Sequence, residues 1–169
     1  MAPELATTDV RGGALRLLTT GLYVLTTCVE DMIHSATIAW VSQVSAEPTL
    51  VMVALRRNSH LAQSVRQAHR FALNILAAEQ AALAAQFFVH HAEPAATSTI
   101  SGFGFRPGMG HCPLLTDAMA WLECRVAAEL PSPGDHVLVL GEVTGAGMRH
   151  QGQPMVLWAT PWSYGGTTG

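Results

Sequence analysis

The chain has 169 residues, a formal net charge of −3, 49% hydrophobic residues and 12% charged residues. This length fits one domain. Its nine basic residues are all arginines scattered along the sequence, so nucleic acid is excluded as an expected partner. The lack of lysine excludes Schiff-base chemistry, including enzyme-bound pyridoxal phosphate.

The low share of charged residues predicts that a second subunit covers part of the surface, because soluble proteins usually have about a quarter charged residues. We therefore expect a homodimer. No apolar run reaches the roughly 18 residues of a membrane span, so no membrane association is expected. Residues 1–14 carry no apolar leader segment and are interpreted as a flexible N-terminal tail of a cytoplasmic protein.

The predicted elements are short strands separated by turns, with two helices. A hairpin turn is expected at Glu30-Asp31, and Asn58 is a good N-cap for the first helix. The strands are predicted at 22–27, 33–41, 49–56, 71–76, 118–128, 136–145 and 155–159, and the helices at 59–69 and 79–88. Residues 89–113 are predicted to be a long loop. This pattern lacks βαβ alternation and favours an antiparallel barrel with helices packed against it.

The histidines and cysteines do not form a recognisable metal motif. His90, His91, His111 and Cys112 bracket the predicted loop, but their spacing of about twenty residues fits no compact zinc motif. The three cysteines include no CxxC pair, so they are interpreted as reduced thiols. No metal site is therefore predicted.

Five segments carry a resemblance to a known family. They are SATIAWVSQVSAEPTLVMVAL at 35–55, RNS at 57–59, FALNILAAEQAALAAQFF at 71–88, WLECRV at 121–126 and GDHVLVLGEV at 134–143. Together, and in this order, they resemble the flavin reductase-like FMN-binding split-barrel family. The resemblance implies one domain over residues 15–166. It also implies a mainly β fold with helices, an antiparallel Greek-key split β-barrel that binds FMN as a homodimer.

The resemblance also implies a flavin site. A flavin needs a flat apolar slot with backbone N–H donors near its ring edge, and a helix N-terminus favours its phosphate. The implied cofactor-binding residues are Thr37, Ile38, Ala39, Trp40, Ser42 and Gln43 around the ring, Arg56, Arg57, Asn58 and Ser59 at the phosphate, and Trp162 and Tyr164 over the flavin edge. His136, in the Gly-Asp-His element, is the implied catalytic residue. Asn74 is expected to hold barrel backbone and not to contact the cofactor.

Three functions are compatible with this resemblance. The first is an NAD(P)H-dependent flavin reductase that supplies reduced flavin to a flavin-dependent monooxygenase or another electron acceptor. FMN is the expected flavin, with FAD as the alternative, and the co-substrate is NADH or NADPH. The second is a flavoredoxin-like electron carrier with permanently bound FMN, a branch that Trp40 favours. The third is a non-catalytic cofactor-binding barrel, which stays open because Leu61 replaces a second hydroxyl residue near the phosphate.

Overall fold

A large antiparallel sheet curls around one helix. The computed structural model describes residues 10–162. Within them the helices are α1 (Val10–Arg16), α2 (His60–Ala68) and α3 (Ala81–Gln86), and the strands are β1 (Tyr23–Val29), β2 (Met32–Ile38), β3 (Val41–Ser45), β4 (Leu50–Arg56), β5 (Arg70–Ile75), β6 (His91–Pro94), β7 (Thr99–Ile100), β8 (Phe103–Pro107), β9 (Pro113–Leu115), β10 (Ala120–Leu130) and β11 (His136–Met148). No helix in this part of the chain is both long and apolar enough to cross a membrane.

The eight-stranded sheet has the order β3-β4-β11-β10-β5-β1-β2-β6, and a smaller sheet has the order β7-β8-β9. All the pairings are antiparallel, and the longest is between β10 and β11. The predicted hairpin is confirmed, because Val29 pairs with Met32 and Glu30 takes a left-handed φ of 53° in the turn. The prediction of a mainly β, antiparallel barrel with helices is therefore confirmed.

Helix α2 fills the interior of the curled sheet. Its N-cap is Ser59, whose Oγ accepts a hydrogen bond from the backbone N–H of Ala62 at 3.1 Å. The predicted N-cap, Asn58, was wrong by one residue. Leu61, Ala62 and Val65 are buried in a cluster with residues from six strands, including Leu25, Val53, Leu73, Cys124 and Val139. This apolar burial stabilises the barrel.

A second core lies on the outer face of β1, β2 and β5. Val24 and Ile33 pack there against Leu83 and Phe87 of the α3 region, and against Ile100 and Leu115 of the small sheet. Thr37 anchors α3 to β2, since its hydroxyl donates to the carbonyl of Ala84 at 2.8 Å and its N–H donates to that of Phe87 at 2.7 Å.

Asn74 has the structural role that the sequence predicted. Its side chain is fully buried and donates to the carbonyl of Val24 at 3.0 Å and to the hydroxyl of Thr26 at 3.2 Å. Its Oδ1 accepts from the N–H of Leu115 at 2.7 Å. These bonds link β9 of the small sheet to β1 and β5, which already pair with each other in the large sheet. The three cysteines are free, as predicted, and burial raises the pKa of Cys112 to about 11 and that of Cys124 to about 12.

Several predicted boundaries were wrong. Residues 89–113 are not one loop but contain β6, β7 and β8, which are held by pairing with β2 and β9. The predicted strand at 155–159 contributes a single bridge, Gly21 to Val156, before a short 3-10 helix at Leu157–Ala159. A second bridge, Ala77 to Pro154, lies just before it. Helix α1 covers residues 10–14 of the expected tail.

The predicted strand at 33–41 is two strands. β2 ends at Ile38 and β3 begins at Val41. The reason is a change of pairing partner, because Tyr23 of β1 pairs with Ile38 whereas the carbonyl of Trp40 accepts from the N–H of Ala54 in β4 at 3.0 Å. Residues 39 and 40 therefore connect β2, which lies next to one edge of the large sheet, to β3 at the opposite edge.

Candidate functional site

A small cavity lies where the chain leaves β2. It has a volume of about 170 Å³ and is lined by Leu22, Thr37, Ile38, Ala39, Phe88, Leu157 and Trp162. Four of these, Thr37, Ile38, Ala39 and Trp162, are predicted cofactor-binding residues. The other three were not predicted as site residues, because they come from three distant segments that only the fold brings together.

The backbone between β2 and β3 contributes one residue, Ala39, to the lining of this cavity. Ala39 is buried, and its N–H has no acceptor among residues 10–162. The hydroxyl and N–H of Thr37, in contrast, are both used to anchor α3. Ala39 can therefore donate to a ligand, whereas Thr37 contributes wall and not a free donor.

A second unsatisfied group lies close to the same wall. Thr20 Oγ1 is buried without a hydrogen-bond partner in the described part of the chain, and the carbonyl of Thr20 accepts from the N–H of Leu157 at 2.8 Å. Sequence reasoning missed Thr20, because nothing in its local pattern separates it from a surface threonine. Buried polar atoms without partners are uncommon in native proteins and suit a ligand or water.

The cavity suits a flat apolar ring but not a whole dinucleotide. Ligand sites usually measure about 300–1,000 Å³, so the cavity of about 170 Å³ would hold only part of a flavin. Trp162 forms one wall and packs edge-on against Phe88, with 4.7 Å between ring centroids. Tyr164, the other residue predicted to cover the flavin, lies outside the described residues.

Trp40 and His136 are brought together, as the predicted site requires. Their ring centroids are 4.7 Å apart and their planes are inclined at 48°. His136 is 8% exposed and begins β11, opposite Arg56 of β4. Ala39 lines the cavity and Trp40 follows it in sequence, so one residue separates the cavity wall from the contact with the imidazole.

Asp135 fixes the imidazole of His136. The distance from Asp135 Oδ1 to His136 Nδ1 is 2.6 Å. The hydrogen bond from His136, followed by its charge, lowers the pKa of the Asp135 carboxyl, so this carboxylate stays ionised to a lower pH than usual. Asp135 was not predicted as a site residue, although the Gly-Asp-His element contains it.

Arg57 holds the turn that carries His136. Its Nη2 donates to the carbonyl oxygens of Ser132 and Gly134, the second at 2.6 Å. Its backbone N–H donates to the carbonyl of Asp135 at 2.9 Å. The guanidinium of Arg57 is exposed but already hydrogen-bonds backbone of the same chain. The sequence analysis did not predict these bonds.

The other predicted phosphate residues lie at the start of α2. Arg56 and Asn58 are exposed, and Ser59 is occupied as the N-cap. Phosphate binding by Arg56, Arg57, Asn58 and Ser59 stays a prediction. Ser42 and Gln43 lie exposed on β3, an edge strand of the sheet, and neither lines the cavity.

Comparisons with known proteins agree on one family. A family model described as the flavin reductase like domain matches residues 15–163. The chain is 34% identical over 148 residues to the NADPH-flavin oxidoreductase of Streptomyces viridifaciens, covering 85% of this chain and 74% of that protein. It is 36% identical over 130 residues to the NADH-dependent FMN reductase AsuE2 of Streptomyces nodosus subsp. asukaensis, covering 77% and 69%.

A solved structure supports the same conclusion for the fold. The flavin reductase of the styrene monooxygenase from Pseudomonas putida S12 superimposes with a TM-score of 0.71 and 28% identity. The match covers 86% of this chain and 90% of that one.

Proposed function

Because the chain belongs to the flavin reductase-like domain family, we propose that it is an NAD(P)H-dependent flavin reductase. The observation that carries this proposal is the juxtaposition of an apolar cavity with the Trp40 and His136 pair. The cavity walls would hold a flat ring, and the buried imidazole lies one residue beyond the wall. Flavin, when bound, supplies the acceptor for a hydride from the nicotinamide.

The residues of this chain contribute binding and orientation. Leu22, Phe88 and Trp162 exclude water from the ring, and the N–H of Ala39 donates to its polar edge. His136, oriented by Asp135, hydrogen-bonds a polar group of the nicotinamide or the flavin. Catalysis is then mainly alignment of two bound molecules, which alone can lower a barrier substantially.

The expected flavin is FMN, as in the relative AsuE2, with FAD as the alternative. Its phosphate is assigned to the start of α2, because the free N–H groups and dipole of a helix N-terminus favour an anion. Arg56, Arg57 and Asn58 are all exposed there, and Arg56 and Asn58 are the residues assigned to the phosphate. Arg57 and Ser59, which already have partners, would contribute mainly by fixing this turn.

A homodimer completes the proposal. Four large apolar side chains are exposed beside the cavity: Leu17 at 82%, Leu18 at 64%, Val89 at 72% and Trp158 at 60%. We refer to them as the apolar rim. Val89 and Trp158 directly follow the cavity residues Phe88 and Leu157. Leu17 and Leu18 follow Arg16, whose guanidinium donates to the carbonyl of Trp162. A second copy on this rim would enlarge the cavity to the size of a flavin site.

Reduced flavin made here would pass to a flavin-dependent monooxygenase or another acceptor. A solved relative is the reductase of a styrene monooxygenase, which supports an oxygenase as the partner. A cytoplasmic location is part of this proposal, and the use of NADH or NADPH as co-substrate supports it.

The test uses purified protein after desalting. Its visible spectrum is recorded, and oxidation of NADH and NADPH is followed with and without added FMN, FAD or riboflavin. We expect turnover that depends on added flavin. A protein that neither oxidises NAD(P)H nor changes the spectrum of any added flavin would contradict the proposal.

The same measurements separate the alternative that Trp40 favours. An electron carrier would keep its yellow colour through desalting and show negligible NAD(P)H turnover. Trp40 contacts the imidazole of His136, so the same side chain fits a nicotinamide site as well as a carrier.

A further inference from the structure

Three histidines that are far apart in sequence meet at one end of the barrel. His34 lies on β2, His60 is the first residue of α2, and His90 directly precedes β6. The Nδ1 of His34 and the Nε2 of His90 are 3.2 Å apart, with their rings stacked at 5.3 Å. The ring of His60 is 5.4 Å from that of His90. Sequence reasoning considered His90 only with His91, His111 and Cys112, none of which completes this group.

The separation between His34 and His90 suits a metal ion. Zinc bonds imidazole nitrogens at about 2.0–2.1 Å in a tetrahedron, which places two such nitrogens about 3.3 Å apart. The observed 3.2 Å equals this edge within its precision. A neutral hydrogen bond between the imidazoles would have a similar length, so the third histidine decides between the two interpretations.

His60 is free to become the third ligand. It is exposed, and its contact with His90 is between ring faces, not a hydrogen bond. As placed, no group of three His, Cys, Asp or Glu side chains within residues 10–162 could hold a metal ion, so the site forms only when the His60 side chain rotates. Solvent can supply the fourth ligand, as at open zinc sites.

The dipole at the start of α2 acts against a cation beside His60. This effect lowers the affinity by only about two- to fivefold, so it does not prevent binding.

We propose that His34, His60 and His90 form a binding site for one zinc-class divalent transition ion. Imidazole is a preferred ligand of Zn²⁺, Ni²⁺ and Cu²⁺, and the site joins β2, α2 and the start of β6. This site is separate from the cavity, whose lining contains none of the three residues. Its existence does not depend on the proposed reductase activity.

The test is a titration of Zn²⁺ into the full, untagged chain after removal of metals with a chelator. Calorimetry should show one Zn²⁺ per chain. The variants H90A and H34A should each weaken binding about tenfold or more, a typical effect of disturbing a metal site. H60A is the safeguard against misfolding, because His60 is exposed, and it should also weaken binding about tenfold.

The matched control is H150A, which removes an exposed histidine outside the group and should leave binding unchanged. Equal Zn²⁺ affinity of the native protein and H60A would overturn the three-histidine site. No saturable binding to the native protein would overturn the proposal entirely and leave the His34 to His90 contact as a hydrogen bond.

Discussion

At the scale of single residues, His136 is the side chain whose role is most directly testable. H136A should lower kcat/KM for NAD(P)H by about 10- to 100-fold, at the lower end of the effects of positioned acid–base groups, because the nicotinamide loses an oriented hydrogen-bond partner. Flavin affinity should change little, since His136 is not among the cavity-lining residues.

D135N should have a smaller effect in the same direction, since Asp135 acts only through the imidazole. Steady-state kinetics check both, and unchanged turnover in H136A would remove His136 from the site.

A variant of Arg57 distinguishes two roles for this residue, binding the flavin phosphate and supporting the 132–135 turn. The sequence alone does not tell these two roles apart. A phosphate clamp would make R57A bind FMN more weakly while leaving riboflavin, which lacks the phosphate, unaffected. The observed bonds of Arg57 to the 132–135 turn predict instead that R57A lowers kcat by about tenfold. Loss of these bonds would let His136 shift, and a small displacement of a positioned group slows the reaction. The ratio of FMN to riboflavin affinity should stay constant.

The control for Arg57 is R125A, since Arg125 is exposed and, within residues 10–162, forms its ion pair with Glu142 on the sheet surface. R125A should leave both kinetics and flavin affinities unchanged. Fluorescence titration gives the two affinities. A selective loss of FMN affinity in R57A would show that the guanidinium leaves the turn to bind phosphate.

At the scale of elements, the side chain of Asn74 links the eight-stranded sheet to the small sheet by hydrogen bonds. N74A leaves the N–H of Leu115 without its acceptor in the buried core and removes two donated bonds to β1. Because an unsatisfied buried polar group costs about 1–3 kcal/mol, we expect N74A to lower the free energy of unfolding by about 3 kcal/mol. Urea denaturation measures this loss. Q151A, at an exposed position, should change it by less than about 0.5 kcal/mol.

The elements that the sequence predicted well are those specified by their own residues. The apolar run of β4 and the Glu30 turn each carry a local signal, and the structure contains both. The start of α2 is predicted to within one residue, because the N-cap is Ser59 and not the predicted Asn58. Strands β6 to β8 have only two to five residues each and lack alternation, so pairing with β2 and β9 decides them. Sequence patterns cannot report such non-local pairing.

The candidate site divides in the same way. The resemblance named Ala39, Trp40, His136 and Trp162, and the structure brings them to one region. The resemblance could not show that the Arg57 guanidinium hydrogen-bonds the carbonyl of Ser132, 75 positions away. Nor could it show that the hydroxyl of Thr37 donates to Ala84 in α3. These contacts depend on how segments pack, and local residue types do not encode them.

At the scale of the whole molecule, the apolar rim predicts that assembly and flavin binding are coupled. A stable interface buries about 800 Å² per partner, and the rim lies around a cavity too small for a flavin. V89D should weaken the dimer by about 2 kcal/mol or more, as charges do at the centre of an interface, and should weaken flavin binding with it.

M148D is the matched control, because Met148 is 66% exposed at the end of β11 and is not part of the rim. Light scattering after gel filtration gives the assembly state and fluorescence titration gives the flavin affinity. A V89D monomer that binds flavin as tightly as the native protein would show that one chain suffices for the site, whereas an intact V89D dimer would place the interface elsewhere.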